Sequence, residues 1–128
     1  MLPLCAAEGI GVIPWSPQAR GRLTRDWNVA STRSETDDAV ARLFAHSEEA
    51  DRKVAERVVT VAERRGVPRA QIAPAWLLAN PVITAPIVGA TKLQHLDDAV
   101  ASVNVKLSED EIALLEELYI PHRVVGFA

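Results

Sequence analysis

Two short apolar runs stand out from a chain whose remaining pattern repeats at helical period. The first is Gly11-Val12-Ile13-Pro14-Trp15, and the second is Ile83 to Val88, rich in β-branched residues. Runs of this length without polar alternation suit strands covered on both faces. Pro14 has no N–H to give to a ladder, so it belongs near a strand's end. Elsewhere the period is helical. Glu48 to Arg65 places Val54, Val58, Val61 and Ala62 on one face with charges opposite, and Gly66 stops it. Pro68 suits the first position of a following helix. That helix carries Ile72, Ala75, Trp76 and Ala79 as its apolar face and ends at Asn80-Pro81. Leu93, Leu96 and Val100 share another helical face. Ser108 and Glu111 stand at the spacing of a capping box, opening a helix with Ile112, Leu115 and Leu118 inward. Leu2 to Glu8 reads as the last two turns of a helix stopped by Gly9, a short opening that suggests the end of a longer element. Leu23 to Asp38 is the longest irregular stretch, and long loops in compact domains are usually functional or mobile. Asp37 to Phe44 is expected as a short helix and Ile120 to Ala128 as an extended tail.

The order is helix end, strand, loop, helices, strand, helix, helix. Strands alternating with helices imply parallel pairing and an α/β architecture. Two strands that both need covering on two faces cannot cover each other, and an isolated pair is marginal. The expectation is therefore a piece of a larger parallel barrel or sheet, with residues 1–128 forming one partial domain.

Composition narrows the function classes. The 128 residues are 48% hydrophobic and carry 14 basic against 17 acidic side chains, a net charge of −3. The charges are interspersed, which argues against a nucleic-acid surface or a polybasic membrane contact. Cys5 is the single cysteine, so no intrachain disulfide forms, and no Cys/His cluster has zinc spacing. No apolar run approaches the ~20 residues that span a bilayer. The opening MLPLCAAEG lacks the basic region of a signal peptide. A cytoplasmic protein without membrane or nucleic-acid partners is expected.

The candidate chemistry lies just after each apolar run. Past Val88 the chain breaks at Gly89-Ala90, and Thr91 and Gln94 fall at capping-box spacing with Lys92 between them. A strand, a glycine turn and a capped helix with a lysine in its first turn present bare N–H groups, a helix dipole and a cation together, a suitable place for a phosphate. The residues equally allow a plain reading, in which Gly89 turns the chain, Thr91 caps and Lys92 is solvated. After Trp15 comes the turn-rich loop Ser16-Pro17-Gln18-Ala19-Arg20-Gly21-Arg22-Leu23, with two arginines. His46, His95 and His122 are scattered at no ligand spacing, and Cys5 lies on an apolar face suited to packing, so neither a metal nor a cysteine nucleophile is expected.

Four ordered segments carry a resemblance. Gly9 to Pro17 with Ala19-Arg20-Gly21-Arg22-Leu23-Thr24, then Thr32 to Asp37, then Ala70 to Leu78, then Ala85 to Lys92, resemble the later part of aldo-keto reductases. The closest branch is the bacterial one related to the potassium-channel β-subunits. The resemblance covers essentially the whole chain. It implies a (β/α)8 TIM barrel that reduces carbonyl compounds with NADPH, of which this chain would be the C-terminal part: the end of helix six, strands seven and eight, and the closing helices. In such barrels a phosphate site is often built by the loops after strands seven and eight.

Residue by residue, the resemblance implies NADP(H) contacts. Trp15 matches the aromatic that stacks on the nicotinamide ring, whose alternative is a core tryptophan. Ser16, Pro17, Gln18, Ala19 and Arg20, followed by Gly21, match the loop along the pyrophosphate, with Gln18 standing where the family usually has Leu. Arg33 matches an arginine near the adenosine end, and plain solvation stays open for it. Gly89, Thr91 and Lys92 match the adenosine-phosphate turn, where Lys92 would favour NADP by pairing with the 2′-phosphate. His95 stands where many relatives have Gln or Arg, Asp98 where they have Glu, and Ala99 replaces a frequent Asn beside the adenine. No residue matches the family's Asp, Tyr, Lys and His tetrad, and the one tyrosine, Tyr119, falls in the wrong segment. The expectation is thus a C-terminal portion of an NADPH-dependent reductase with cofactor elements and no catalytic residue, inactive alone, its carbonyl substrate belonging to the full-length protein. The alternative is a non-catalytic half-barrel that binds nucleotide or assembles through its open sheet edges. A third reading is a truncated product with no function of its own.

Overall fold

The computed structural model describes residues 1–27, 44 and 47–121. The helix expected over 37–44, apart from Phe44, most of the long loop after Trp27, and the tail from 122 lie outside the described residues, as do His46 and His122. Among the described residues the elements are α1 (Leu2–Ala7), a 3-10 turn (Ala19–Gly21), α2 (Glu48–Arg65), α3 (Arg69–Ala79), α4 (Leu93–Ser102) and α5 (Glu109–Glu116).

Local chemistry explains where these helices stop and start. Gly9 and Gly66 both take left-handed backbone, with φ of 65°. At each, paired bonds close the helix: Ile10 N–H to the Cys5 carbonyl and Gly9 N–H to Ala6, then Val67 N–H to Ala62 and Gly66 N–H to Glu63. This is the Schellman arrangement, which satisfies carbonyls that the helix end leaves open. Along α2, Glu48, Glu49 and Asp51 open the helix and Arg64 and Arg65 close it, complementing its dipole. The capping box of α5 is present: Glu111 N–H donates to Ser108 Oγ at 3.3 Å, and Ser108 N–H donates to Glu111 Oε2 at 2.8 Å.

The apolar runs depart from expectation. They lie parallel, but they meet only as two isolated bridges, Val12 with Ile83 and Trp15 with Ile87. Val12 N–H donates to the Val82 carbonyl at 3.0 Å and Thr84 N–H returns to Val12 at 2.8 Å. The next parallel rung would need N–H groups from Pro14 and Pro86, and neither has one. The pairing resumes one residue late, with Ile87 N–H on the Pro14 carbonyl at 2.8 Å. Two prolines facing each other thus reduce a ladder to bridges. Gly11 permits the close approach, because a Cβ there would collide with Thr84 Oγ1.

The core sits elsewhere, where α2, α3 and α5 meet: Val58, Val61, Ala62, Ile72 and Leu115, with Leu23, Val67, Val105, Leu107 and Leu114 packed around them. On α3 the buried side is Ile72, Ala73, Pro74 and Ala75. The expected face included Trp76 and Ala79, and both are exposed. Trp76 serves a polar contact instead, its indole N–H donating to Glu116 Oε1 at 2.8 Å. On α4 the pattern is inverted: Asp98 and Ser102 are buried, while Leu93, Leu96, Val100 and the following Val103 face out. Period identifies an apolar face but not which side of the helix meets the rest of this chain.

Candidate functional site

The parallel sense of the bridges decides what can meet. Because Val12 pairs with Ile83 and Trp15 with Ile87 in the same direction, both runs leave the pair at one end. The loop beginning at Ser16 and the turn containing Gly89, Thr91 and Lys92 therefore emerge side by side.

The first loop is a tightly bonded, left-handed path. Ser16, Ala19 and Arg20 have φ of 55°, 47° and 56° without being glycine, and Gly21 follows at 95°. Non-glycine residues rarely occupy this region, and clusters of them occur where a loop's shape is used. Ala19 N–H donates to Ser16 carbonyl at 2.9 Å and Gly21 N–H to Gln18 carbonyl at 2.8 Å. Arg25 holds the far side, with Nη2 on the Arg20 carbonyl at 3.1 Å and Nε on the Gly21 carbonyl at 3.5 Å. Its guanidinium lies so near Gly21 that a Cβ there would stand 2.6 Å from Nη2.

Two contacts bolt this loop to the start of α3. Arg69 Nη2 meets Asp26 Oδ1 at 2.7 Å. Gln18 Nε2 donates to the Ala70 carbonyl at 3.1 Å. That carbonyl would ordinarily accept from the residue four places on, which is Pro74 and has no N–H. The residue that departs from the resembled pattern thus satisfies a backbone group that a helix proline leaves open. Beside it, the Arg22 guanidinium stacks on Trp27 at 4.2 Å and Phe44 at 4.8 Å. Its Nε and Nη2 are buried without a hydrogen-bond acceptor, so ring faces hold this charge. Arg22 was noted only as one of the loop's two arginines, and Arg25 and Gln71 were not singled out by sequence reasoning. Arg25 stands four residues beyond Gly21, a spacing that could have suggested it; Gln71 acts across the fold and leaves no local signal.

Trp15 presents 63% of its surface, with the Arg20 guanidinium over its ring at 5.0 Å. It takes no part in the core of this chain. Pro17 is half-buried in the loop's first turn.

On the second turn, Gly89, Thr91 and Lys92 are exposed. The capping box expected of Thr91 and Gln94 does not form: α4 starts at Leu93 with Lys92 as its extended N-cap and no side-chain cap. Thr91 stands one position too early, and its hydroxyl lies 3.4 Å from His95 Nδ1. Asp98 turns the other way and is buried against α3, where its Oδ1 accepts from Gln71 Nε2 at 2.9 Å. The structure therefore brings Trp15 to Gly21 and Gly89 to Lys92 to one end, sets His95 beside Thr91, and places Asp98 between helices. Arg33 lies outside the described residues. Among the described residues no group of His, Cys, Asp and Glu could hold a metal, and no helix is long and apolar enough to cross a membrane.

Comparison with known proteins gives the context. The chain is similar to the versiconal hemiacetal acetate reductase of Aspergillus parasiticus, 43% identical over 126 residues, which are 97% of this chain and 36% of that protein. It is similar to an aldo-keto reductase of Fusarium vanettenii, 36% identical over 127 residues, covering 98% of this chain and 34% of the relative. Among solved structures it resembles a thermostable aldo-keto reductase in complex with the inhibitor epalrestat, with a TM-score of 0.62 at 26% identity, covering 92% of this chain and 33% of that one. The chain thus spans about a third of the length of the relatives it matches. The family model for the aldo/keto reductases matches residues 1–120, and the chain belongs to the aldo/keto reductase family.

Proposed function

We propose that this chain is the C-terminal third of a (β/α)8 carbonyl reductase and that its two side-by-side loops hold NADP(H). The observation that carries the reading is the parallel bridge of Trp15 with Ile87, which sends the loop from Ser16 and the turn at Gly89–Lys92 out of one end. The donor set fits such a cofactor. Trp15 offers an exposed indole face for an aromatic ring. The loop from Ser16 to Gly21 supplies cationic and backbone donors for a pyrophosphate, and Lys92 a cation for the ribose 2′-phosphate. Thr91 and His95 flank Lys92. NADPH supplies the hydride when bound; this chain's residues bind and orient it. The acid that donates a proton to the carbonyl belongs to the other two thirds of the barrel, and this chain alone has no turnover.

Calorimetric titration tests the reading. NADPH saturates the chain, NADH binds more weakly, and Lys92→Ala brings the two together, a loss of about 10-fold for NADPH. Equal affinities for both nucleotides before and after Lys92→Ala would overturn the assignment of Lys92. Aldehyde-dependent oxidation of NADPH by the purified chain, abolished by Trp15→Ala, would overturn its inactivity.

A second reading is favoured by one observation, the outward-facing Leu93, Leu96, Val100 and Val103 on α4. In it the chain assembles with a partner, a second copy included, through this stripe and the open edges of its bridged runs.

A further inference from the structure

We infer that Gln71 is a positioning residue: the first turn of α3 grips one loop through the Ala70 carbonyl and the other through the Gln71 side chain, and so sets the spacing that a dinucleotide must bridge. The inference rests on the cofactor reading above and adds to it the element that aligns the two halves of the site.

Three features carry it. The two grips start from adjacent residues of one helical turn: Gln18 Nε2 donates to the Ala70 carbonyl at 3.1 Å, and Gln71 Nε2 donates to Asp98 Oδ1 at 2.9 Å. Neighbouring Cα atoms stand about 3.8 Å apart, so the anchor is short and helical and leaves little play between what it holds. The second turn depends on that grip. Val88 to Thr91 make no backbone–backbone hydrogen bond among the described residues, so their place follows from what flanks them, Ile87 on the Pro14 carbonyl and α4. Apolar packing, in turn, does little to fix α4. It buries Asp98 and Ser102 and leaves Leu93, Leu96 and Val100 exposed. Ser102 Oγ donates to the Ala99 carbonyl of its own helix at 2.6 Å. That leaves Gln71 on Asp98 as the side-chain hydrogen bond between α3 and α4 among the described residues. Its acceptor is a carboxylate and Asp98 is 7% exposed, the setting in which such a bond is strongest.

A ligand that spans two sites gains affinity from their spacing, whereas one that touches a single site does not. Calorimetry on the 128-residue chain therefore compares NADPH with reduced nicotinamide mononucleotide and with adenosine 2′,5′-bisphosphate, its two halves. Gln71→Leu removes the donor. Gln71→Glu keeps the size of the side chain and sets a second carboxylate against Asp98. Each variant is expected to weaken NADPH about 10-fold and to change either half by less than about 2-fold. A side chain that only stabilises the fold would move all three ligands alike. NADPH affinity within about 2-fold of wild type in either variant, or losses of equal size for NADPH and both halves, overturns the positioning role and leaves the cofactor reading intact. A wild-type chain that binds none of the three ligands overturns both.

Discussion

Pro74 withdraws an N–H from the carbonyl of Ala70, and Gln18 restores it from a distant loop. A partly buried acceptor left without a donor costs about 1–3 kcal/mol. Gln18→Leu is accordingly expected to lower stability by about 1–2 kcal/mol in urea unfolding. In a Pro74→Ala background, the alanine N–H can reach the Ala70 carbonyl, and the same Gln18→Leu change is expected to cost about 0.5 kcal/mol or less. Equal costs in the two backgrounds would show that the side chain and the proline act separately. Gln18 also shows how far single residues can be read from sequence. Its departure from the resembled pattern was visible; its partner was not, because nothing local connects residue 18 to residue 70. The same holds for Gln71 and Asp98, where a residue expected near the nucleotide also ties α3 to α4. Trp15 was legible to the extent that the run ends there and its ring is exposed.

Three helix ends were legible because each is set by neighbouring residues, whereas the box expected of Thr91 and Gln94 at the start of α4 does not form. Gly9, Gly66 and the Ser108 box act within one turn, so the chain pattern contains both partners. The bridged runs were legible as parallel apolar segments, while their reduction to bridges depends on Pro14 facing Pro86, a matter of register between distant stretches. The end of α2 and the start of α5 are joined by a fork that sequence did not announce. Arg65 Nε and Nη2 meet the two Glu111 oxygens at 2.6 and 2.5 Å, and Nη2 also reaches the Lys106 carbonyl at 2.6 Å. The hydrogen bonds from Arg65, with those from Ser108, hold the Glu111 carboxyl down at about 2 against an ordinary 4.5. A depressed carboxylate contributes stability that is present above the ordinary value and is lost as pH falls toward the depressed one. Melting temperature is therefore expected to fall between pH 4.5 and about 2 in part through this group. Glu111→Gln, which cannot ionise, should lower stability at pH 7 by about 1 kcal/mol, since the pair is partly exposed and screened. It should also flatten the acid limb of the melting curve. A variant whose acid limb runs parallel to wild type would show that Glu111 does not supply that dependence.

Among the described residues the core lies where α2, α3 and α5 meet, while the bridged runs and α4 carry exposed apolar side chains. Ile13, Trp15, Ile87 and Val88 on the bridged runs are exposed, and the α4 stripe reaches 74% exposure at Leu93 and 62% at Val100. Burial of such surface stabilises by roughly 25 cal/mol per Å², and stripes of this kind are seldom left to water. The relatives are about three times as long as this chain, so in them there is additional chain available to cover these faces. The sequence anticipated this shortage through two strands that needed covering on both sides, and it identified the α4 stripe as one apolar face without saying which way that face turns. In the 128-residue chain by itself, the stripe is expected to find a second copy. Sedimentation velocity over a concentration series should show association rising with concentration, and Leu96→Lys with Val100→Lys should shift the chain to monomer while its helical circular dichroism is retained. Those substitutions lie on the face opposite Asp98 and Ser102 and leave the α3–α4 contact in place. A monomer at all concentrations, folded and cooperative on melting, would remove the assembling reading and leave nucleotide binding as the function to be tested in the chain alone. Association that survives both lysines would transfer the contact to the open edges at Ile13 and Ile87, where the two prolines already limit what a third strand could pair with.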